Sequence, residues 1–165
     1  CSSDLAEGSV LSLQKQPFKV RVFFENIVER YKKVFSEKEV SLELRCPDDS
    51  EINADPERLS QIIVNLLSNA LRATNSGGRV LLTALSETDK LKISVEDTGS
   101  GIADKDLPFI FERFYHGAGG GLGIGLTIVK ELAEAHGGSV EAKSIQGKGS
   151  EFIVYLPMGG VHNSS

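Results

Sequence analysis

Apolar and polar positions recur along this chain in two different periods, and the changes of period mark out its elements. Over residues 18–35, Val20, Phe23, Phe24, Ile27, Val28, Tyr31, Val34 and Phe35 follow the three-, four- and seven-residue spacing of an amphipathic helix. Lys19, Arg21, Glu25, Glu29, Arg30, Lys32 and Lys33 occupy its other face. Val40 to Leu44 alternates with period two, as a half-buried strand does. Asp55-Pro56 reads as an N-cap followed by proline at the first helical position. Leu59, Ile62, Ile63, Leu66, Leu67, Ala70 and Leu71 then predict a second helix that ends before Gly77-Gly78. Arg79 to Leu85 and Leu91 to Glu96 predict two strands around the polar turn Glu87-Thr88-Asp89. Ile124 to Ala135 predicts a third helix, closed by His136-Gly137-Gly138. Val140 to Lys143 and Glu151 to Leu156 predict a last strand pair joined by Gly147-Lys148-Gly149. Residues 1–17 show only the short alternation of Val10, Leu11 and Leu13, and Met158 to Ser165 reads as a frayed tail. About three helices and five or six strands in hairpin-like order predict an α+β fold, with helices gathered over one face of a mainly antiparallel sheet.

Composition narrows the classes. The chain has 165 residues, enough for one core, and its 40% hydrophobic and 25% charged residues suit a globular domain. No stretch approaches the ~18 apolar residues of a membrane span, and no signal peptide opens the chain. It begins at Cys1 rather than at a methionine, which reads as a piece of something longer. Cys1 and Cys46 are too few for a disulfide framework and match no metal spacing. A net charge of −5 argues against general nucleic-acid binding but leaves a nucleotide open. Gly99, Gly101, Gly117, Gly119, Gly120, Gly121, Gly123 and Gly125 crowd one region, as in a linker or where backbone must approach something closely.

Three patterns carry candidate chemistry. Gln61, Asn65, Asn69 and Arg72 fall on one face of the second helix. Asparagine is an indifferent helix former, so two in one helix need a reason. On spacing alone they are either buried groups satisfied by nearby backbone, solvent-facing residues, or ligands. Asp97-Thr98-Gly99-Ser100-Gly101-Ile102 ends a strand, where a carboxylate beside a glycine turn could accept hydrogen bonds from a base, or simply make a turn. Gly121-Leu122-Gly123-Ile124-Gly125-Leu126 runs into a helix whose unpaired N–H groups and dipole would favour an anion. It lacks the Gly-Lys-Ser/Thr of a Walker loop.

In this order the three patterns resemble the ATP-binding domain of sensor histidine kinases, over about residues 18–157. Asp55-Pro56-Glu57-Arg58-Leu59 and Asn65-Leu66-Leu67-Ser68-Asn69-Ala70 resemble that family's asparagine box and its approach. Phe111-Glu112-Arg113-Phe114-Tyr115 resembles its phenylalanine box. His136-Gly137-Gly138 and Gly147-Lys148-Gly149-Ser150-Glu151-Phe152 resemble its closing helix and hairpin. The superfamily includes gyrase-type, mismatch-repair and heat-shock chaperone ATPases. The resemblance implies its two-layer α/β sandwich, of Bergerat type, in a mixed mainly antiparallel sheet.

The resemblance also implies roles. Asp97 would accept from the adenine amino group, Gly99 and Gly101 would form the adjoining turn, and Ile102, Ile110, Leu126 and Phe152 would wall the ring, with Tyr115 also at the nucleotide. Asn69 would coordinate Mg²⁺, Asn65 would help hold phosphate or metal-bound water, and Arg72 would donate to phosphate. N–H groups from Gly121, Gly123 and Gly125 would line the polyphosphate. ATPase members of the superfamily place a glutamate where Asn65 stands; an amide cannot act as a general base near neutral pH, which points to a kinase. The acceptor would be a histidine on a separate dimeric hairpin, whose tail Asp4 to Gly8 resembles, with relay to a response regulator. Residues 1–17 would end that hairpin and its linker, and 158–165 would be a tail. The isolated domain would be a monomer in the cytoplasm, touching neither nucleic acid nor membrane, and the full-length protein a homodimer anchored in a membrane. Four departures stand out: Arg72 where lysine is frequent, His116 where an arginine is frequent, only His116 to Gly120 where the lid is commonly longer (either a short glycine-rich lid or one of which part is absent from this sequence), and Ala73 where an aromatic often packs. His136 reads as structural. The alternatives are an anti-sigma-type serine kinase and a non-catalytic nucleotide-binding interaction domain.

Overall fold

The computed structural model describes residues 13–47, 50–87, 89–101, 105, 107, 110 and 123–157. Among them the elements run β1 (Gln16–Lys19), α1 (Val20–Glu37), β2 (Ser41–Arg45), β3 (Glu51–Ala54), α2 (Pro56–Ala73), β4 (Arg79–Glu87), β5 (Lys90–Asp97), α3 (Gly123–Ala135), β6 (Ser139–Ile145) and β7 (Gly149–Pro157). Five strands form one sheet in the order β2-β4-β5-β7-β6. Among the described strands only the β2–β4 pair is parallel, and α2 lies in the long crossover that a parallel pair requires. The β4–β5, β5–β7 and β6–β7 pairs are antiparallel.

Strand alternation sets the layers. Val80, Leu82 and Ala84 of β4, Leu91, Ile93 and Val95 of β5, and Phe152, Val154 and Leu156 of β7 point to one side and are buried. They share a single core with Phe24, Ile27 and Phe35 of α1, Leu59, Ile62, Ile63, Leu66 and Leu67 of α2 and Leu126, Val129 and Leu132 of α3. The three helices thus cover one face of a mixed, mostly antiparallel sheet, the α/β sandwich expected.

The N-terminal side departs from expectation. Helix α1 starts at Val20 rather than 18, because Gln16–Lys19 pair antiparallel with β3 in a two-stranded ribbon. Neither four-residue strand is long enough to show a period, and their pairing is set by tertiary contact. The boundary expected between residues 17 and 18 therefore runs through β1. The Asp4 to Gly8 segment and the tail from Met158 lie outside the described residues.

Candidate functional site

Helix α2 is fixed at both ends. At its start the Asp55 carboxylate accepts from the N–H groups of Glu57 at 3.0 Å and Arg58 at 3.2 Å, as an N-cap should. The same carboxylate accepts from the Gln14 N–H at 2.8 Å. Burial pushes this carboxyl up, but the Gln14, Arg58 and Glu57 N–H groups and the Arg58 charge outweigh it and hold it below the ordinary aspartate value. At the far end Lys38 Nζ donates to Leu71 O at 2.6 Å, adding positive charge beside the helix's negative pole.

Along α2 the predicted polar stripe appears, but its members differ. Gln61 and Arg72 are exposed, Asn65 is half-buried and Asn69 is buried. Gln61 Oε1 accepts from Arg58 Nη1 at 3.4 Å. Asn69 Oδ1 accepts from Arg72 Nη1 at 3.2 Å, which fixes the amide's orientation. Asn69 Nδ2 is buried with no partner among the described residues. Leaving such a donor unpaired costs ~1–3 kcal/mol, so an asparagine satisfied by neighbouring backbone does not describe it.

Asp97 closes β5 on the helix-facing side of the sheet and is 5% exposed. It accepts from the Gly99 N–H at 2.8 Å. Burial pushes its carboxyl above the ordinary value, the Gly99 and Ser150 N–H groups offset part of that, and nearby Glu96 pushes it further up. Across the neighbouring strands Asp97 is registered with Ser150, and Ser150 with Ser144. This polar row borders the apolar row of Val95, Phe152 and Ala142. Sequence reasoning passed over Ser144 and Ser150 as site residues; their signal was the register of a hairpin, which no spacing motif states.

The turn after Asp97 is seated on the end of α2. The Ser100 N–H donates to Ala73 O at 3.3 Å, and the Gly147 N–H donates to Ser100 O at 2.6 Å. A Cβ on Gly99 would overlap Ala73 O and come within 2.9 Å of Asp97 Oδ1. Gly101 has φ +74°, and a Cβ there would overlap Ile145 O. Glycine is required at both positions by the packing of backbone on backbone. The result brings the Asp97 turn to Ala73, one helical turn beyond Asn69.

Of the predicted apolar wall, Ile110, Leu126 and Phe152 all lie in the core cluster. Gly123 and Gly125 lie in the first turn of α3, so the glycine run leads directly into a helix. Ile102, Tyr115 and Gly121 lie outside the described residues, as do His116 and the short stretch up to Gly120. His136, by contrast, is fully accounted for. Its Nδ1 lies 2.9 Å from Leu132 O, and the Asp55 N–H points to its Nε2 at 3.2 Å. Those partners require a proton on Nδ1 and none on Nε2. His136 thus ties the end of α3 to the start of α2. Among the described residues no group of three or more His, Cys, Asp or Glu is placed to hold a metal ion.

Residues 54–160 match the family described as histidine kinase-, DNA gyrase B- and HSP90-like ATPase. The chain is 39% identical over 122 residues to the sensor histidine kinase ZraS of Escherichia coli K12, covering 73% of this chain and 26% of that one. It is 36% identical over 155 residues to the sensor histidine kinase YclK of Bacillus subtilis, covering 90% and 33%. The chain therefore spans about a quarter to a third of the length of these curated relatives. Full-length ShkA, solved in complex with AMPPNP, superposes with a TM-score of 0.84 at 32% identity, over 93% of this chain and 33% of that one. Histidine kinase ThkA, solved in complex with response regulator protein TrrA, shares the fold, with a TM-score of 0.77 at 22% identity over 88% and 42%. The chain belongs to the histidine kinase-, DNA gyrase B- and HSP90-like ATPase family, and the relatives described here are histidine kinases.

Proposed function

We propose that this chain is the ATP-binding catalytic domain of a two-component sensor histidine kinase. It binds ATP with Mg²⁺ and supplies the γ-phosphoryl group to a histidine on a dimerisation hairpin outside this sequence, for relay to a response regulator. The observation that carries this reading is Asp97: a buried carboxylate at a strand end, short of compensating donors, held beside the helix that bears Asn69 and Arg72. The relatives' names and the AMPPNP complex of ShkA support it.

In this mechanism Asp97 accepts a hydrogen bond from the exocyclic amino group of adenine, a charge-assisted bond that selects the base. Ile110, Leu126 and Phe152 back the apolar side of the ring, with Ile102 and Tyr115 proposed to complete it. Gly99 and Gly101 shape the Asp97 turn. The N–H groups of Gly123 and Gly125 in the first turn of α3 would face the phosphates with the helix dipole behind them, and Gly121 is proposed to join them. Arg72 donates to the same phosphates.

Asn69 fits a magnesium ion that arrives with the nucleotide. Magnesium keeps several waters and takes few protein ligands beside phosphate oxygens, so a neutral amide oxygen suffices. Arg72 holds that oxygen in the present structure, and phosphate is the acceptor that would draw the guanidinium away. When bound, the ion would neutralise charge on the phosphates. Asn65, half-buried on the same helix, cannot take a proton from water near neutral pH. Its amide preserves the γ-phosphoryl group for a protein acceptor.

The hairpin and a response regulator are the partners in this reading, and the ThkA–TrrA complex supports the second. No helix among the described residues is long and apolar enough to cross a membrane. The domain acts from the cytoplasm as a monomeric unit of a dimeric, membrane-anchored parent, entered from the chain before β1 and followed by the tail 158–165. Calorimetric titration with ADP, with and without MgCl₂, tests the core of the proposal. Saturable binding that tightens with magnesium is expected; no binding in either condition overturns it.

A further inference from the structure

Three polar side chains follow one another across adjacent strands on the helix-facing side: Asp97 on β5, Ser150 on β7 and Ser144 on β6. Directly opposed residues in such pairs have Cβ atoms ~4.5–5.5 Å apart. A ligand edge that reaches the Asp97 carboxylate therefore comes within reach of the Ser150 hydroxyl as well. What that hydroxyl can offer is decided by its neighbour. Ser144 Oγ lies 3.0 Å from Gly149 O and 3.0 Å from Ser150 Oγ. A serine has one hydroxyl proton, and a carbonyl oxygen only accepts, so the Ser144 proton goes to Gly149. The contact between the two hydroxyls then takes the Ser150 proton, donated to Ser144 Oγ. Ser150 is left with lone pairs to present, beside a carboxylate that is itself acceptor-only when ionised.

We infer that Ser144 is a specificity-determining residue of the base site: by taking the Ser150 proton it makes Asp97 and Ser150 a pair of acceptors for the two protons of an amino group at purine position six, which selects such a base over one with a carbonyl there. This rests on the reading that Asp97 meets a nucleotide base. Ser144 acts through Ser150 and needs no contact with the base. With Ser144 gone, Ser150 can turn its proton toward a six-carbonyl and remove part of the penalty that acceptor-to-acceptor contact imposes. Ser144 is half-buried on the outermost strand β6, so shortening it leaves the core intact.

The experiment is calorimetric titration of the 165-residue chain with ADP and with inosine diphosphate, both with MgCl₂. Wild type should prefer ADP. Ser144→Ala should narrow the ADP-to-IDP affinity ratio about three- to tenfold, the range of one neutral hydrogen bond, chiefly by tighter IDP binding. Ser144→Thr, which keeps a hydroxyl and suits a strand, should retain the wild-type ratio. An unchanged ratio in Ser144→Ala, or an equal loss for both nucleotides, overturns the inference and leaves Ser144 as a fastening of the hairpin. Wild type binding both equally overturns the inference while the nucleotide reading stands. Wild type binding neither overturns both.

Discussion

Asp55 and Asp97 sit at opposite ends of the same helix and are almost equally buried, at 4% and 5% exposure, yet their acidities move in opposite directions. Asp55 caps the start of α2 with three backbone N–H groups and the Arg58 charge around it. Asp97 has two backbone N–H groups, a neighbouring negative charge, and its turn resting on the α2 terminus. Burial penalises both carboxylates, the Asp97 carboxyl more heavily, and the two also differ in how far the chain itself compensates them. Asp55 is a structural charge whose hydrogen-bonding capacity the fold consumes. Asp97 is a charge the fold leaves under-satisfied, and such a group gains most from a donor supplied by a ligand.

Substitution should separate the two most sharply at Asp97. Asp97→Asn is expected to weaken ADP binding about 10- to 100-fold, the worth of a charge-assisted hydrogen bond. Its thermal midpoint should stay level or rise, since a poorly compensated buried charge is gone. Retained affinity would remove Asp97 from the base site. Asp55→Ala should do the reverse: a loss of about 1–2 kcal/mol in unfolding free energy for the missing cap, with ADP affinity of the folded protein within about twofold of wild type. A drop in affinity matching that of Asp97→Asn would show that the division between structural and functional charge is false.

Acid titration sharpens the same contrast, because the two signs differ. The folded-state value of Asp55 is depressed, so its stabilisation is present above the ordinary aspartate value near about pH 4 and is lost as pH falls through the depressed value. That of Asp97 is raised, so its favourable contribution is present below about pH 4 and is lost as pH rises through the raised value. Urea unfolding across pH should therefore find wild type more stable than Asp55→Asn at neutral pH, with the gap closing only below about pH 4. Against Asp97→Asn, wild type should gain relative stability as pH falls toward that value from above. Parallel profiles for the two variants would mean that both carboxylates are compensated alike.

How far this contrast could be read in advance depends on where each partner lies in the chain. The Asp55-Pro56 cap was legible because its acceptor and donors are two and three residues apart. The apolar periods of α1, α2 and α3 gave the helical layer within a few residues. The β1–β3 ribbon was not legible, since Gln16–Lys19 and Glu51–Ala54 are each too short to carry a period. At the site, spacing singled out Asn69, whose partner Arg72 is three residues away, and Asp97, whose state also depends on a distant neighbour. The Ser150 N–H reaches Asp97 through the β5–β7 register, and the His136 contact to Asp55 spans 81 residues. Gly99 and Gly101 read as a tight turn within a glycine cluster that is either a linker or a place of close backbone approach; the close neighbours the fold supplies are the carbonyls of Ala73 and Ile145. Local chemistry announces itself in sequence, whereas compensation of a buried charge is a property of the assembled sheet and helix.

The smallest expected effects bear on why the two carboxyls differ. Charge is the last-ranked contributor to each: Arg58 lowers Asp55, and Glu96 raises Asp97. Arg58→Gln should therefore move Asp55 slightly up and Glu96→Gln should move Asp97 slightly down, each toward the ordinary value. Stability should change by no more than about 0.5 kcal/mol in either variant. Glu96 is exposed on the face away from the helices, so its influence on Asp97 should also shrink as salt is raised. Carboxyl carbon chemical shifts followed by NMR through an acid titration would report both movements. If Glu96→Gln returned Asp97 fully to the ordinary value, a neighbouring charge rather than burial would govern its acidity. Asp97 would then differ from Asp55 only in the sign of its neighbour, and its claim to be held for a ligand would lose its physical basis.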